Sequence, residues 1–210
     1  VTAACVSTIG QAFAGDEYIQ RVFAVKTGNE PTLLEGMSRV YLDRFRYAQL
    51  LYHTRDCRSA AIVYTSEQSD ALDNQFSFRI ACSIVPGLLH MLRALPLRSL
   101  PKLLSLVDRM ASAGTAAVTA AGVTGSYLKL IVVATHPDHQ RQGLGTSVLQ
   151  EVAADADKQQ LPVYLEAIED HLLPWYQRHG FVGIGEVDVQ PGDHSRVVQL
   201  MLRMPQQPSS

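Results

Sequence analysis

An apolar run at positions 128–134 meets a polar, glycine-bearing loop, His136-Pro137-Asp138-His139-Gln140-Arg141-Gln142-Gly143-Leu144-Gly145, which leads straight into a helical pattern. Apolar Leu144, Val148, Val152 and Ala156 recur every four residues, Leu149 and Ala153 widen the stripe, and Glu151, Asp155 and Lys158 fall off it. Such spacing predicts a helix with one packed face, so the segment reads as a strand, a loop and a fixed helix start. The first N–H groups of a helix lack intrahelical partners, and the aligned peptide dipoles leave partial positive charge there. Glycines at 143 and 145 leave the backbone open to a bulky anion, which points to the pyrophosphate of a nucleotide-like ligand.

Three phosphate loops compete for this pattern. A P-loop ends in Gly-Lys-Ser/Thr, and no lysine accompanies Gly145-Thr146. A dinucleotide fingerprint wants a third glycine near Val148 and an early place in its domain, whereas this loop comes late. The remaining pattern, Gln/Arg-x-x-Gly-x-Gly/Ala, is carried by Gln140, Gly143 and Gly145 and resembles the acetyl-coenzyme A loop of the GCN5-related N-acetyltransferases (GNAT). A second stretch agrees with it. An alternating strand pattern at 162–168 precedes Leu172-Leu-Pro-Trp-Tyr-Gln-Arg-His-Gly-Phe181, similar to that family's strand and short helix with a tyrosine before Gly-Phe. Within the family the resemblance is greatest to puromycin N-acetyltransferase-like members, on His136-Pro-Asp-His-Gln140, Leu173-Pro-Trp-Tyr176 and Ala12-Phe-Ala-Gly-Asp-Glu-Tyr18.

The resemblance implies an α/β fold of the GNAT type: a mixed, mostly antiparallel sheet flanked by helices, with a helical insert before the cofactor-binding strand. It implies acetyl-CoA as cosubstrate, seated where two strands splay. Backbone groups of Val133, Ala134 and Thr135 would hold the pantetheine arm, and the loop residues Gln140, Arg141, Gln142, Gly143, Leu144, Gly145 and Thr146 the pyrophosphate. Tyr176 would protonate the departing thiolate, since a phenol with a pKa of about 10 keeps its proton at neutral pH. Glu166, on the second strand of the wedge, would take the proton of the amine; an ion-paired or rim carboxylate is the plainer reading, and Asp16, Glu17 and Glu169 compete. The asparagine that many relatives carry four residues before the tyrosine is Leu172 here, and the strand that usually precedes the first helix is replaced by helical spacing in 1–7.

The implied activity is acetyl transfer to the primary amine of a small molecule by direct attack in a ternary complex. The alternatives are acetylation of a peptide or protein N-terminus, or a non-catalytic acyl-CoA-binding module. Composition is compatible with the first. The 210 residues, 47% hydrophobic, suffice for one domain spanning 1–210, with the helical insert at about 75–112 and a frayed tail at 205–210. Eighteen basic and twenty acidic residues, with no long basic run, argue against a nucleic-acid surface and leave a small-molecule partner, compatible with a homodimer.

Cys5, Cys57 and Cys82 are too few and too irregular for a disulfide framework, and no secretory pattern opens the chain, which fits a cytoplasmic protein. The apolar stretch 80–97 is interrupted by Pro86, His90, Arg93 and Pro96, so buried helices are expected there instead of a membrane span. No metal is expected: His136, Asp138 and His139 share one short turn without a third ligand at suitable spacing. Asp193-His194-Ser195 is not a hydrolase triad, because adjacent residues diverge, and Cys57 has no nucleophile motif around it. Aromatic contacts to the acceptor are expected from Tyr18, Tyr41, Phe45 and Trp175.

The rest of the chain predicts one broken helix or two over 6–24, a helix from Pro31 to about Tyr52, and a strand at 59–65. Helix follows over 75–110 with a break near 96–101, then a connector or weak strand at 111–125. Strands at 182–189 and 197–204 flank a turn at 190–193.

Overall fold

The structure, a computed structural model, describes residues 2–23, 25–44, 51–67, 78–95, 100–189 and 197–206. Helices α1 (Thr2–Ala12), α2 (Glu17–Phe23) and α3 (Glu30–Arg44) come first, then strands β1 (Leu51–His53) and β2 (Ser59–Thr65). Helices α4 (Phe78–Ala94) and α5 (Leu100–Ala120) precede β3 (Leu128–Thr135). The chain closes with α6 (Leu144–Gln159), β4 (Val163–Ala167), α7 (Leu173–Arg178), β5 (Val182–Asp188) and β6 (Val197–Arg203).

The strands form one mixed sheet in the order β1-β2-β3-β4-β6-β5, in which β3 and β4 alone run parallel. That pair joins two antiparallel triplets. Its length is unequal to its strands: pairing covers Leu128↔Val163, Lys129↔Tyr164 and Leu130↔Leu165 and then stops, although β3 continues to Thr135. On its other edge β3 stays paired with β2 as far as Ser59↔Thr135. The register there slips, with Ile62 opposite Val132 and Val63 opposite Leu130, so Ile131 is an extra residue on β3. An inserted residue bends its strand and raises its twist, which turns the end of β3 away from β4.

Core side chains divide between the two faces of the sheet. Ile9, Ile19, Leu33 and Leu106 pack with Ala60, Ile62, Ala134 and Val198 on the face covered by α1–α5. Of the stripe expected on α6, Val148, Leu149, Val152 and Ala156 pack with Leu130, Leu165, Tyr176 and Phe181 on the opposite face, while Leu144 and Ala153 are only half-buried. Val148, Leu149 and Val152 are fully buried, worth roughly 1.5–3 kcal/mol apiece.

Two departures from the sequence reading have physical causes. The segment 111–120, read as a connector, is the second half of α5, and the helix therefore runs past the expected insert boundary of 112. Its small residues serve close packing: a Cβ on Gly114 would collide with the Tyr164 hydroxyl, and Ala117 lies against Gly185. The helix expected to reach Tyr52 is described over Glu30–Arg44, and Leu51–His53 is instead an edge strand paired with β2. The two short opening helices are as expected, divided at Gly15, whose φ of 78° is left-handed. The turn at 190–193 and Phe45 lie outside the described residues. Among the described residues no helix is long and apolar enough to cross a membrane.

Candidate active site

The gap between β3 and β4 opens where their pairing ends, at Ile131. Extended backbone points successive residues to opposite edges, so the edge that each residue serves can be read from its partners. The Ala134 carbonyl accepts from Ser59 Oγ at 3.0 Å, and the His136 N–H donates to the Arg58 carbonyl at 2.8 Å, which turns both residues toward β2. Val133 and Thr135 consequently present their backbone groups toward β4. Of the three strand residues expected to hold a pantetheine arm, these two face the gap and Ala134 is engaged behind it.

The loop that follows is built for an anion. A 3-10 turn, Pro137–His139, is capped by His136, whose Nδ1 accepts from the Asp138 N–H at 3.3 Å. The Gln140 side chain donates to the Thr135 carbonyl at 3.3 Å and the Gln142 side chain to the Asp138 carbonyl at 3.4 Å, folding the loop back on the strand. Arg141 and Gly143 then adopt left-handed φ values of 59° and 81°. Gly143 is the N-cap of α6, with no side-chain cap, and its carbonyl accepts from the Ser147 N–H. The N–H groups of Leu144, Gly145 and Thr146 lie in the first helical turn, where no intrahelical carbonyl precedes them. Gly145 is a close approach: a Cβ there would sit 3.1 Å from Thr135 Oγ1, itself 3.0 Å from Ser59 Oγ. The helix start and the strand end are thereby held together with no side chain between them.

Tyr176 lies on the α6 side of the sheet. Its ring is buried, edge-on to Phe181 at 5.8 Å and tilted against Trp175 at 4.8 Å. Burial pushes its phenol up to about 12, so the proton is retained throughout the neutral range. Gly180, at φ 86°, ends the segment, and the Phe181 N–H returns to the Tyr176 carbonyl at 3.2 Å. Trp175, expected in the acceptor pocket, instead donates from Nε1 to Thr146 Oγ1 at 3.1 Å, tying α7 to the first turn of α6.

Glu166 points to the opposite face. Along β4, Val163, Leu165 and Ala167 pack with Tyr176, whereas Tyr164 and Glu166 turn toward α5. There a cavity of about 330 Å3 is walled by the aromatic rings of Tyr18, Phe23, Tyr41 and Tyr64, with Lys129 and Glu166 as its charged pair. Tyr41 and Tyr64 are stacked at 6.3 Å. Glu166 Oε1 receives both Lys129 Nζ at 2.8 Å and the Tyr164 hydroxyl at 3.1 Å. Burial, then the charge of Glu166, raises the Tyr164 phenol far above its ordinary value, which fixes it as a donor. Ile131, the bulged residue of the splayed strand, also lines this cavity, so the cavity abuts the gap. Tyr18 and Tyr41, expected to contact the acceptor, both line this cavity.

The two candidate catalytic side chains thus lie on opposite faces, with the gap between β3 and β4 as the passage from one to the other. Lys129 and Tyr164, which hold Glu166, were not singled out from the sequence. The signal for Lys129 was a lone cation in an apolar strand, which is seldom left without a partner.

Residues 106–183 match the family model described as an acetyltransferase (GNAT) domain. Two solved structures superpose over nearly the whole chain. One is the Corynebacterium glutamicum protein described as histone acetyltransferase HPA2 and related acetyltransferase, at TM-score 0.57 and 16% identity, covering 100% of this chain and 93% of that one. The other is arylalkylamine N-acetyltransferase 2 from Aedes aegypti, at TM-score 0.63 and 12% identity, covering 98% and 94%. The fold is the GNAT fold.

Proposed function

We propose that this chain, which carries an acetyltransferase (GNAT) domain, transfers the acetyl group of acetyl-CoA to the primary amine of a small molecule with an aromatic or apolar body. The observation that carries the reading is the split between β3 and β4, which has an aromatic cavity on one side, Tyr176 on the other, and an anion-binding helix start at its mouth.

The residues present fit acetyl-CoA. Val133 and Thr135 turn their backbone groups toward the gap for the pantetheine arm, the Thr135 carbonyl also accepting from the Gln140 side chain, and residues 141–146 offer backbone N–H groups to the pyrophosphate. Acetyl-CoA supplies an activated acyl group on a thiol that leaves easily. A backbone N–H of β3 facing the thioester carbonyl stabilises the charge that grows on its oxygen as the amine attacks. The amine nitrogen, entering from the cavity, forms the new C–N bond while the C–S bond breaks. Glu166 receives the proton lost by nitrogen, directly or through water, and Tyr176 gives its proton to the sulfur. Direct transfer in a ternary complex needs no acyl-enzyme.

The cavity supports the choice of acceptor. Four aromatic rings and the side chains of Met37, Met110 and Ile131 leave two charged groups, and these already pair with each other. An acceptor must therefore bury an apolar body there and bring one nitrogen to Glu166, in competition with Lys129. The motifs around His136 and Tyr176 favour the puromycin N-acetyltransferase-like branch, without implying that substrate.

The test is release of free thiol from acetyl-CoA in the presence of arylalkylamines, linear polyamines and peptides. Acceptor-dependent release is expected with arylalkylamines, at least about ten-fold above the other two. Binding of CoA with no release for any amine would instead favour a non-catalytic acyl-CoA module, and preference for peptides would favour N-terminal acetylation.

A further inference from the structure

Away from the gap, three donor groups converge that the acetyl-transfer reading leaves unused. Cys5, on the buried side of α1, places its Sγ 2.8 Å from the Sγ of Cys57, in the turn between β1 and β2. A ring nitrogen of His53, the last residue of β1, completes a set whose three ligand atoms all lie within 4.8 Å of one another. Both cysteines are buried, at 0% and 4% exposure, and neither forms a disulfide.

We infer that Cys5, Cys57 and His53 form a site for a thiophilic d10 cation, Zn2+ or Cu+, which fastens α1 to the β1–β2 turn.

Donor chemistry argues for this class of ion. Two sulfurs and one imidazole suit zinc and cuprous copper and are poor ligands for magnesium or calcium. The His53 Nδ1 lies 2.8 Å from the Thr54 carbonyl, so in the neutral ring Nδ1 carries the hydrogen and Nε2 keeps the lone pair. A ligating histidine is commonly held in this way, its second nitrogen donating to a backbone carbonyl. Cys57 has a left-handed φ of 55°, uncommon for a residue with a side chain, and its carbonyl accepts from Thr8 Oγ1 at 2.6 Å. That bond anchors the turn to α1 one helical turn beyond Cys5. Metal–sulfur bonds of about 2.3 Å require the two sulfurs to part by roughly 1 Å. Once the sulfurs have parted, three donors suffice for trigonal Cu+, and Zn2+ would take a fourth from solvent or protein. Binding replaces two S–H bonds by two metal–sulfur bonds and releases two protons, with no change of oxidation state.

The place of the site gives it a consequence. The same turn ends in Ser59, whose hydroxyl contacts both Ala134 and Thr135, so an ion here would brace the end of the strand that lines the gap.

The full chain, reduced with a phosphine and freed of metal, is titrated in separate arms with Zn2+, Cu+ and, as an optical probe, Co2+. One equivalent per chain is expected from Zn2+ or Cu+, with thiolate-to-cobalt absorption in the near ultraviolet and a higher Tm. Cys5→Ser and Cys57→Ser should each abolish the absorption, and His53→Ala should weaken binding about ten-fold or more. If those variants do not fold, alkylation of the wild-type thiols gives the same information: bound metal should slow modification of Cys5 and Cys57 together and leave Cys82 unaffected. Failure of both metals to bind well-folded protein, undiminished binding in a folded Cys5→Ser or Cys57→Ser variant, or unprotected thiols in the metal-loaded chain would each overturn the assignment.

Discussion

Tyr176 and Glu166 are separated by the thickness of a sheet, and substitution should separate them functionally. Tyr176→Phe keeps the ring contacts to Trp175 and Phe181 and removes one proton. It is expected to lower kcat about 100-fold while the KM for acetyl-CoA stays within about two-fold, as measured by steady-state thiol release. The sign of the pH dependence follows from burial. In the proposed role the phenol acts in its protonated form, and burial pushes it up to about 12, so it loses its proton only at the alkaline extreme. An alkaline limb near pH 9 that disappears in Tyr176→Phe would count against so high a phenol value, and an unchanged kcat in that variant would count against the acid role. Glu166→Gln leaves Lys129 without its carboxylate partner and should depress kcat/KM for the amine, with CoA affinity in calorimetry unchanged. Glu166 itself was legible through the family resemblance, but its neighbours were not. Tyr164 and Lys129 meet it only because parallel pairing sets Lys129 opposite Tyr164, a register that no local pattern encodes.

Elements show the same division between what periodicity reveals and what packing decides. Strands β2 to β6 stand out as apolar or alternating runs, and the α6 stripe fixes its buried face. The second half of α5 does not, because alanine, glycine and threonine were selected by the nearness of Tyr164 and Gly185 and leave little amphipathic contrast. Helix α6 is also fastened at its far end. Asp157 receives Arg203 Nη1 and Nη2, each at 2.7 Å, from the end of β6, and the backbone N–H of Gln206. The hydrogen bond from Arg203, followed by that from Gln206 and the Arg203 charge, holds the carboxyl below its usual range against an opposing effect of burial. With the folded value depressed, the stabilisation is present above the unfolded pKa of about 3.9 and is lost as pH falls through the folded value. Asp157→Asn strands a guanidinium that is only 4% exposed, and should cost about 3 kcal/mol in urea unfolding near neutral pH. The gap to wild type should shrink toward pH 2; a constant gap would contradict the pairing. At the opposite end, Gly143→Ala imposes a side chain at φ 81°, with an expected loss of about 1 kcal/mol in stability and weaker CoA binding by calorimetry.

For the whole molecule, the overall architecture could be read from two motifs about thirty residues apart, because they mark the strands on either side of the gap. The converging thiols and imidazole could not, since they come from a helix, an edge strand and a turn that only the folded chain brings together. Coenzyme A at about 1,000 times its Kd should stabilise the folded chain by about 4 kcal/mol, read as a rise in Tm. The sheet itself supplies a further consequence. Its two triplets of strands meet along a backbone seam only three residue pairs long, two leaves joined near Lys129 and by the core side chains packed on either face. Whatever fills the crease touches both leaves, so substrate is also mortar. The ligand-free chain should breathe there, with fast amide exchange at Val133 and Thr135, whose N–H groups face the gap, and slower exchange at Val132 and Ala134, and the act of taking up its donor should quiet the entire sheet.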